Sequence, residues 1–125
     1  MSLTHIALAC LPVRDTDDAL TFYRDVLGFE VVSDQVLEEG HRWVQLRPVG
    51  SLTAMALVTW FPSMPAGSVR GLVLATDDLD ADVEALRSRG LDLPNDIESA
   101  PWGRWVTFND PDGNGWVLQG PSTIT

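Results

Sequence analysis

The chain has 125 residues, and its 18 acidic side chains against eight basic ones give a net charge of −10. Such a field repels nucleic acid and anionic lipid, so the sequence predicts neither partner and favours a cationic or neutral ligand. The single cysteine, Cys10, excludes an internal disulfide and fits a reducing compartment. Because no segment approaches the length of an apolar membrane span, we expect one cytoplasmic domain that does not bind membranes.

The first half of the chain alternates between strand and helix patterns. Residues 3–13 are mostly apolar and predict a buried strand. The acidic run from Asp15 predicts a helix start, and Gly28 predicts the helix end. Apolar residues between them recur at helical spacing: Ala19, Phe22, Tyr23, Val26 and Leu27. Further strands are predicted at 29–37, 41–49 and 53–61.

The second half repeats this order after a break rich in proline and glycine at residues 62–68. A helix is predicted from Asp78 to Gly90, about 60 residues after the first one. The strands predicted around this helix are 69–76, a short one at 91–94, and longer ones at about 102–109 and 115–119. The repeat predicts one domain of two modules, residues 1–61 and 69–125, joined by the linker 62–68.

Three segments resemble the vicinal oxygen chelate superfamily, which holds the glyoxalases, the bleomycin-resistance proteins and the extradiol dioxygenases. They are FYRDVLGFE at 22–30, TDDLD at 76–80 and NDPDGN at 109–114. The resemblance implies an α+β fold of two βαβββ modules that form a cupped, nearly closed mixed sheet with the helices outside. It also implies a ligand inside the cup, a homodimer and, in the enzymes, a divalent metal that polarises two substrate oxygens. The two modules of one cup can come from one chain or from two chains of a dimer.

The resemblance also indicates where a metal would be bound, at four positions on four strands. These positions are occupied here by Leu8, Ala56, Gly71 and Val117, none of which has a donor atom in its side chain. His5 is three residues from Leu8, so strand alternation places it on the opposite face, at an edge or on the surface. His41 is interpreted as part of a solvated turn. We therefore predict no metal and no cofactor.

Five tryptophans are many for a chain of this size. If Ala56 and Val117 face the cup, strand alternation places Trp60 and Gln119 there too, and Trp116 in the core. Trp102 follows a polar loop and is expected at the rim, whereas alternation leaves Trp43 and Arg42 undecided. The predicted ligand-binding residues are therefore Trp60, Trp43, Trp102, Trp105, Arg42 and Gln119.

Three functions are compatible with these patterns. The favoured hypothesis is a metal-free protein that sequesters an aromatic or cationic drug or natural product in a tryptophan-lined cup. The second is a glyoxalase-like lyase or a dioxygenase, which needs His5, His41 or a glutamate to reach the cup. The third is a scaffold that binds a partner protein. No nucleophile and base occur in a recognisable arrangement, so no catalytic residue is predicted and a non-enzyme is favoured.

Overall fold

A computed structural model describes residues 1–121 of the chain as eight strands and two α-helices. The N-terminal module contains β1 (Leu8–Pro12), α1 (Thr16–Thr21), β2 (Glu30–Val36), β3 (Arg42–Arg47) and β4 (Ala54–Val58). The C-terminal module contains β5 (Leu72–Ala75), α2 (Leu79–Ser88), β6 (Glu98–Ala100), β7 (Gly103–Asn109) and β8 (Gly115–Gly120). The last four residues of the predicted second module, 122–125, lie outside the described residues. In the described part, no helix is long and apolar enough to cross a membrane.

Each module folds into its own four-stranded mixed sheet. The strand orders are β1-β4-β3-β2 in the N-terminal sheet and β5-β8-β7-β6 in the C-terminal sheet. In both sheets the first strand is parallel to the last, and the other neighbours are antiparallel. The predicted α+β fold of two βαβββ modules is thus confirmed. Within residues 1–121, no hydrogen-bonded strand pair joins the two sheets.

The helix boundaries follow the predicted signals. The Asp15 side chain accepts a hydrogen bond from the Asp18 amide at 3.0 Å, and Asp78 accepts one from the Ala81 amide at 3.1 Å. These carboxylates cap the first turns of α1 and α2. Gly28 has a φ of +77° and ends the first helical segment in a conformation that glycine adopts readily. That segment is not a uniform α-helix, because a π-helical turn at Phe22–Val26 follows α1.

One predicted strand was too long, and another does not form. The strand predicted at 3–13 begins only at Leu8, because its partner strand begins at Ala54, opposite Leu8. No strand forms at 91–94, because the Leu91 amide bonds back to the Leu86 carbonyl at the end of α2 and Leu93 is buried. The short strand of this region is β6, which pairs with β7 further along the chain.

One apolar core lies between the helices and one face of each sheet. Trp116 is 5% exposed and packs against Tyr23 and Phe29 of the N-terminal module, with ring centroids 5.9 and 6.4 Å apart. The prediction that Trp116 belongs to the core is confirmed. Because these contacts join the two modules, one module is not expected to fold independently of the other.

A buried hydrogen-bond network also crosses between the modules. The Tyr23 hydroxyl donates to Asp110 at 2.7 Å and accepts from the Trp116 indole at 2.8 Å. The Asn114 side-chain amide donates to Asp110 and to the Pro12 carbonyl, both at 2.9 Å. Burial, and then the negative charge of Asp110, raise the pKa of Tyr23 well above its ordinary range. Tyr23 therefore stays a neutral donor at physiological pH.

Candidate functional site

The face of each sheet that is turned away from the core is called its open face here. Alternation along the strands defines it, since core residues such as Leu57 and Val106 occupy the other face. The cross-strand partners on the N-terminal open face include Leu8 with Ala54, Cys10 with Ala56, and Gln45 with Ala56. Those on the C-terminal open face include Val73 with Val117, Thr107 with Val117, and Trp105 with Gln119.

Two of the predicted tryptophans lie at the N-terminal open face. Trp43 is half-buried, and its indole nitrogen is 3.3 Å from the side-chain oxygen of Gln45, to which it donates. Trp60 follows β4 and stacks on the His41 ring, with centroids 4.5 Å apart and planes 11° apart. His41 closes the predicted turn, since its carbonyl accepts a hydrogen bond from the Leu37 amide at 2.7 Å, but its ring is half-buried and covers one face of the Trp60 indole.

The other two predicted tryptophans meet at the C-terminal open face. Trp102 lies at the turn between β6 and β7 and stacks on Trp105, with ring centroids 4.8 Å apart and planes 8° apart. Trp102 is 64% exposed, so its indole makes this stack in contact with solvent. Gln119 is the cross-strand partner of Trp105 and lies over Gly103, where no side chain interferes. Trp102, Trp105 and Gln119 thus form one aromatic surface with an amide beside it.

Arg42 lies apart from this group of residues. It is on the same face of β3 as Val44, which is fully buried in the core. Its guanidinium donates to Asp34 at 2.9 and 3.0 Å and to Asp17 at 2.6 Å. The hydrogen bond from Arg42 lowers the pKa of the Asp34 carboxyl. Arg42 thus links β2, β3 and α1 on the side opposite Trp43.

The residues present do not fit the metal that the enzymes of the family bind. The four matching positions carry apolar side chains or none, and in residues 1–121 no group of three or more His, Cys, Asp or Glu is arranged to hold a metal ion. His5 is exposed and hydrogen-bonds the Thr4 hydroxyl at 2.9 Å. Cys10 is half-buried on the open face, and burial raises the pKa of its thiol.

An apolar crevice of about 170 Å³ lies between the two modules, and its lining includes Cys10, Leu11, Val73 and Trp116. Pockets for drug-sized ligands usually measure ~300 Å³ or more. Because the crevice is smaller than this, it does not hold such a ligand within one chain. Its lining includes the open-face residues Cys10 and Val73, so the candidate binding site is the wider area of the open faces around this crevice.

One polar residue of the C-terminal open face was missed by the sequence reasoning. Glu98 is the cross-strand partner of Trp105 in the antiparallel pair of β6 and β7. Because the strand was predicted at 91–94, Glu98 was assigned to a loop. Strand alternation could therefore not predict the face to which its side chain points. The signal was the two-residue turn of Pro101 and Trp102, which places residues 98–100 opposite 103–105.

The fold consists of two βαβββ modules around a shared core, which is the architecture that the sequence resemblance implied. Residues 2–118 match the Glyoxalase/Bleomycin resistance protein/Dioxygenase superfamily, and the chain belongs to this superfamily. The family prediction is thus confirmed.

Similar proteins give this family membership more detail. The chain is 45% identical to TnmS3, an antibiotic binding protein from Streptomyces sp. CB03234, with a TM-score of 0.92 over 98% of this chain and 99% of that one. A superfamily member from Sphaerobacter thermophilus is 35% identical, with a TM-score of 0.85 over 94% and 98% of the two chains. An uncharacterized protein of Shewanella frigidimarina is 32% identical, over 94% of this chain and 91% of that protein.

Proposed function

We propose that this chain binds an aromatic small molecule of the antibiotic or natural-product type and sequesters it without chemical change. The observation that carries the proposal is the position of the tryptophans. Four of the five lie at the open faces, and only Trp116 is in the core. The similarity to the antibiotic binding protein TnmS3 supports the same conclusion.

The open faces suit a flat, mostly apolar ligand. Indole rings supply a large apolar area with few rotatable bonds, and they stack on other π systems. Because Trp102 is 64% exposed, its side chain contributes little to the stability of the fold. A ligand that covers this side chain removes apolar surface from water, which favours binding. Gln45 and Gln119 add amide groups that orient polar substituents on such a ligand.

No observation favours the alternative functions. A lyase or dioxygenase of this fold needs several metal ligands together on the open faces. His5 bonds Thr4 and His41 stacks on Trp60. Glu98 does reach the C-terminal open face, but within residues 1–121 it is not joined by two further His, Cys, Asp or Glu side chains that could complete a metal site. A partner-binding scaffold would also use exposed tryptophans, which are enriched at protein–protein interfaces, so the similarity to the antibiotic binding protein TnmS3 is what favours a small-molecule ligand. The proposal therefore includes no metal, no cofactor and no catalytic residue.

The proposal also includes a homodimer that completes the site. In the single chain the open faces remain partly uncovered, and Val73 on β5, the edge strand of the C-terminal sheet, is 56% exposed. Apolar surface of this kind is usually covered by a partner or a ligand. We expect light scattering to give twice the 13.7 kDa mass of the chain at micromolar concentration. A monomer mass at every accessible concentration would contradict the dimer. It would not contradict a ligand site on the open faces of a single chain.

Quenching of tryptophan fluorescence tests the binding function. We expect an anthracycline or a planar anthraquinone to quench the emission with saturation, because most of the indoles are at the open faces. Trp60→Ala is expected to weaken ligands that reach the N-terminal face by about fivefold, since a stacked aromatic pair contributes about 1 kcal/mol. An unchanged urea midpoint of the variant serves as the folding control. Absence of saturable quenching with any planar aromatic compound would contradict the proposed function.

A further inference from the structure

A single carboxylate lies beside the tryptophan stack of the C-terminal open face. Glu98 and Trp105 are direct cross-strand partners, so their side chains point to the same face with Cβ atoms about 5 Å apart. Glu98 is exposed, and in residues 1–121 no side chain forms a salt bridge or hydrogen bond with it. A ligand that stacks on Trp102 or Trp105 therefore lies next to an uncompensated negative charge.

Among the residues that the structure describes, no cationic side chain neutralises this charge. Arg104 is the cross-strand partner of Ser99, the residue after Glu98. Its side chain lies on the other face of β7 and donates two hydrogen bonds to Asp80, at 2.8 and 2.9 Å. These hydrogen bonds lower the pKa of the Asp80 carboxyl. The arginines with carboxylate partners are Arg14, Arg24, Arg42, Arg47 and Arg104. Arg70 and Arg89 donate to backbone carbonyls, and Arg87 lies in the last turn of α2.

We propose that Glu98 determines ligand specificity by making the C-terminal open face selective for planar aromatic molecules that carry a positive charge. The inference rests on the proposed function, and it names the class of ligand that the tryptophan stack takes. A planar cation gains from stacking on the indoles, from the attraction of a cation to an aromatic face, and from the Glu98 carboxylate. A planar anion gains only the stacking and is repelled by the carboxylate.

A matched pair of variants separates this local effect from the charge of the whole protein. Glu98→Gln and Glu84→Gln each remove one negative charge. Glu84 is exposed on α2, which packs on the opposite side of the C-terminal sheet from Glu98. Three planar probes are used in fluorescence titrations: aminoacridine as the cation, hydroxymethylanthraquinone as the neutral compound and anthraquinone sulfonate as the anion.

We expect Glu98→Gln to weaken aminoacridine binding by about fivefold relative to Glu84→Gln, which is the upper range for an exposed ion pair. The affinity for anthraquinone sulfonate should rise, and that for the neutral anthraquinone should stay the same. High salt should reduce the difference between the two variants, because it screens exposed charges.

The outcomes distinguish this inference from the function on which it rests. If the probes bind but both variants shift aminoacridine affinity equally, the whole-protein charge is responsible and the specificity role of Glu98 is wrong. If the wild-type protein binds none of the three probes, the proposed function fails first, and the inference fails with it. Binding of the neutral probe that is lost in Trp105→Ala shows that the stack is the site in question.

Discussion

Replacing Asp110 by alanine is expected to lower the free energy of unfolding by about 3–5 kcal/mol, a large part of the stability of a domain of this size. The Asp110 carboxylate is 5% exposed and accepts hydrogen bonds from the Tyr23 hydroxyl, the Asn114 side chain and the amides of Asp112 and Asn114. Alanine leaves the Tyr23 hydroxyl and the Asn114 backbone amide buried without an acceptor, and the Asn114 side chain keeps only its hydrogen bond to the Pro12 carbonyl. The substitution also removes a hydrogen bond between the modules, since Tyr23 and Asp110 belong to different ones.

Urea denaturation measures this effect. Asp96→Ala is the matched control, because Asp96 is exposed and none of the described residues donates a hydrogen bond to its carboxylate. Tyr23→Phe, which removes one donor and keeps the ring, should cost only about 1–2 kcal/mol. If Asp110→Ala is too unstable to purify, Asp110→Asn retains one acceptor oxygen and should have an intermediate midpoint. Equal midpoints for Asp110→Ala and Asp96→Ala would show that the network does not stabilise the fold.

The double substitution of Trp102 and Trp105 by alanine is expected to reduce the affinity for a planar aromatic ligand at least tenfold. Each stacked ring contributes about 0.5–1.5 kcal/mol beyond the apolar area it buries, and both rings are lost together. The fold should change little, because Trp102 is 64% exposed and Trp105 is only half-buried.

Calorimetric titration of the double variant checks this prediction, with the urea midpoint as the control for folding. The variant with phenylalanine at both positions keeps two aromatic rings and should restore most of the affinity. If the alanine variant binds as tightly as the wild type, the ligand does not use the C-terminal open face. A loss that phenylalanine does not restore would indicate a requirement for the indole N–H groups instead of stacking.

Features set by local chemistry were predictable from the sequence. Asp15 and Asp78 cap their helices with their own side chains, and Gly28 and Gly90 supply the positive φ that ends the helical segments. Strand alternation placed Trp116 in the core once the resemblance had assigned its neighbour Val117 to the cup. Such signals depend on a few adjacent residues and need no knowledge of the partner strands.

Features set by distant contacts were not predictable. The turn at Asp110 has the sequence of an ordinary β-turn, yet Asp110 and Asn114 are buried because Tyr23 and Pro12 of the other module bond them. The position of β6, and with it the direction of Glu98, depends on pairing with β7 rather than on local pattern. His41 becomes a stacking partner only because β4 brings Trp60 beside it.

We expect the open faces, and not the core, to bind the ligand. The most direct measurement is a titration of the protein with an anthracycline, followed by the indole N–H resonances of the five tryptophans in nitrogen–proton NMR spectra. Binding is expected to shift the signals of the tryptophans on the occupied face, while the Trp116 signal, whose proton is held by the Tyr23 hydroxyl, stays in place. A shift confined to Trp116, or no shift at saturating ligand, would show that the ligand does not bind the open faces.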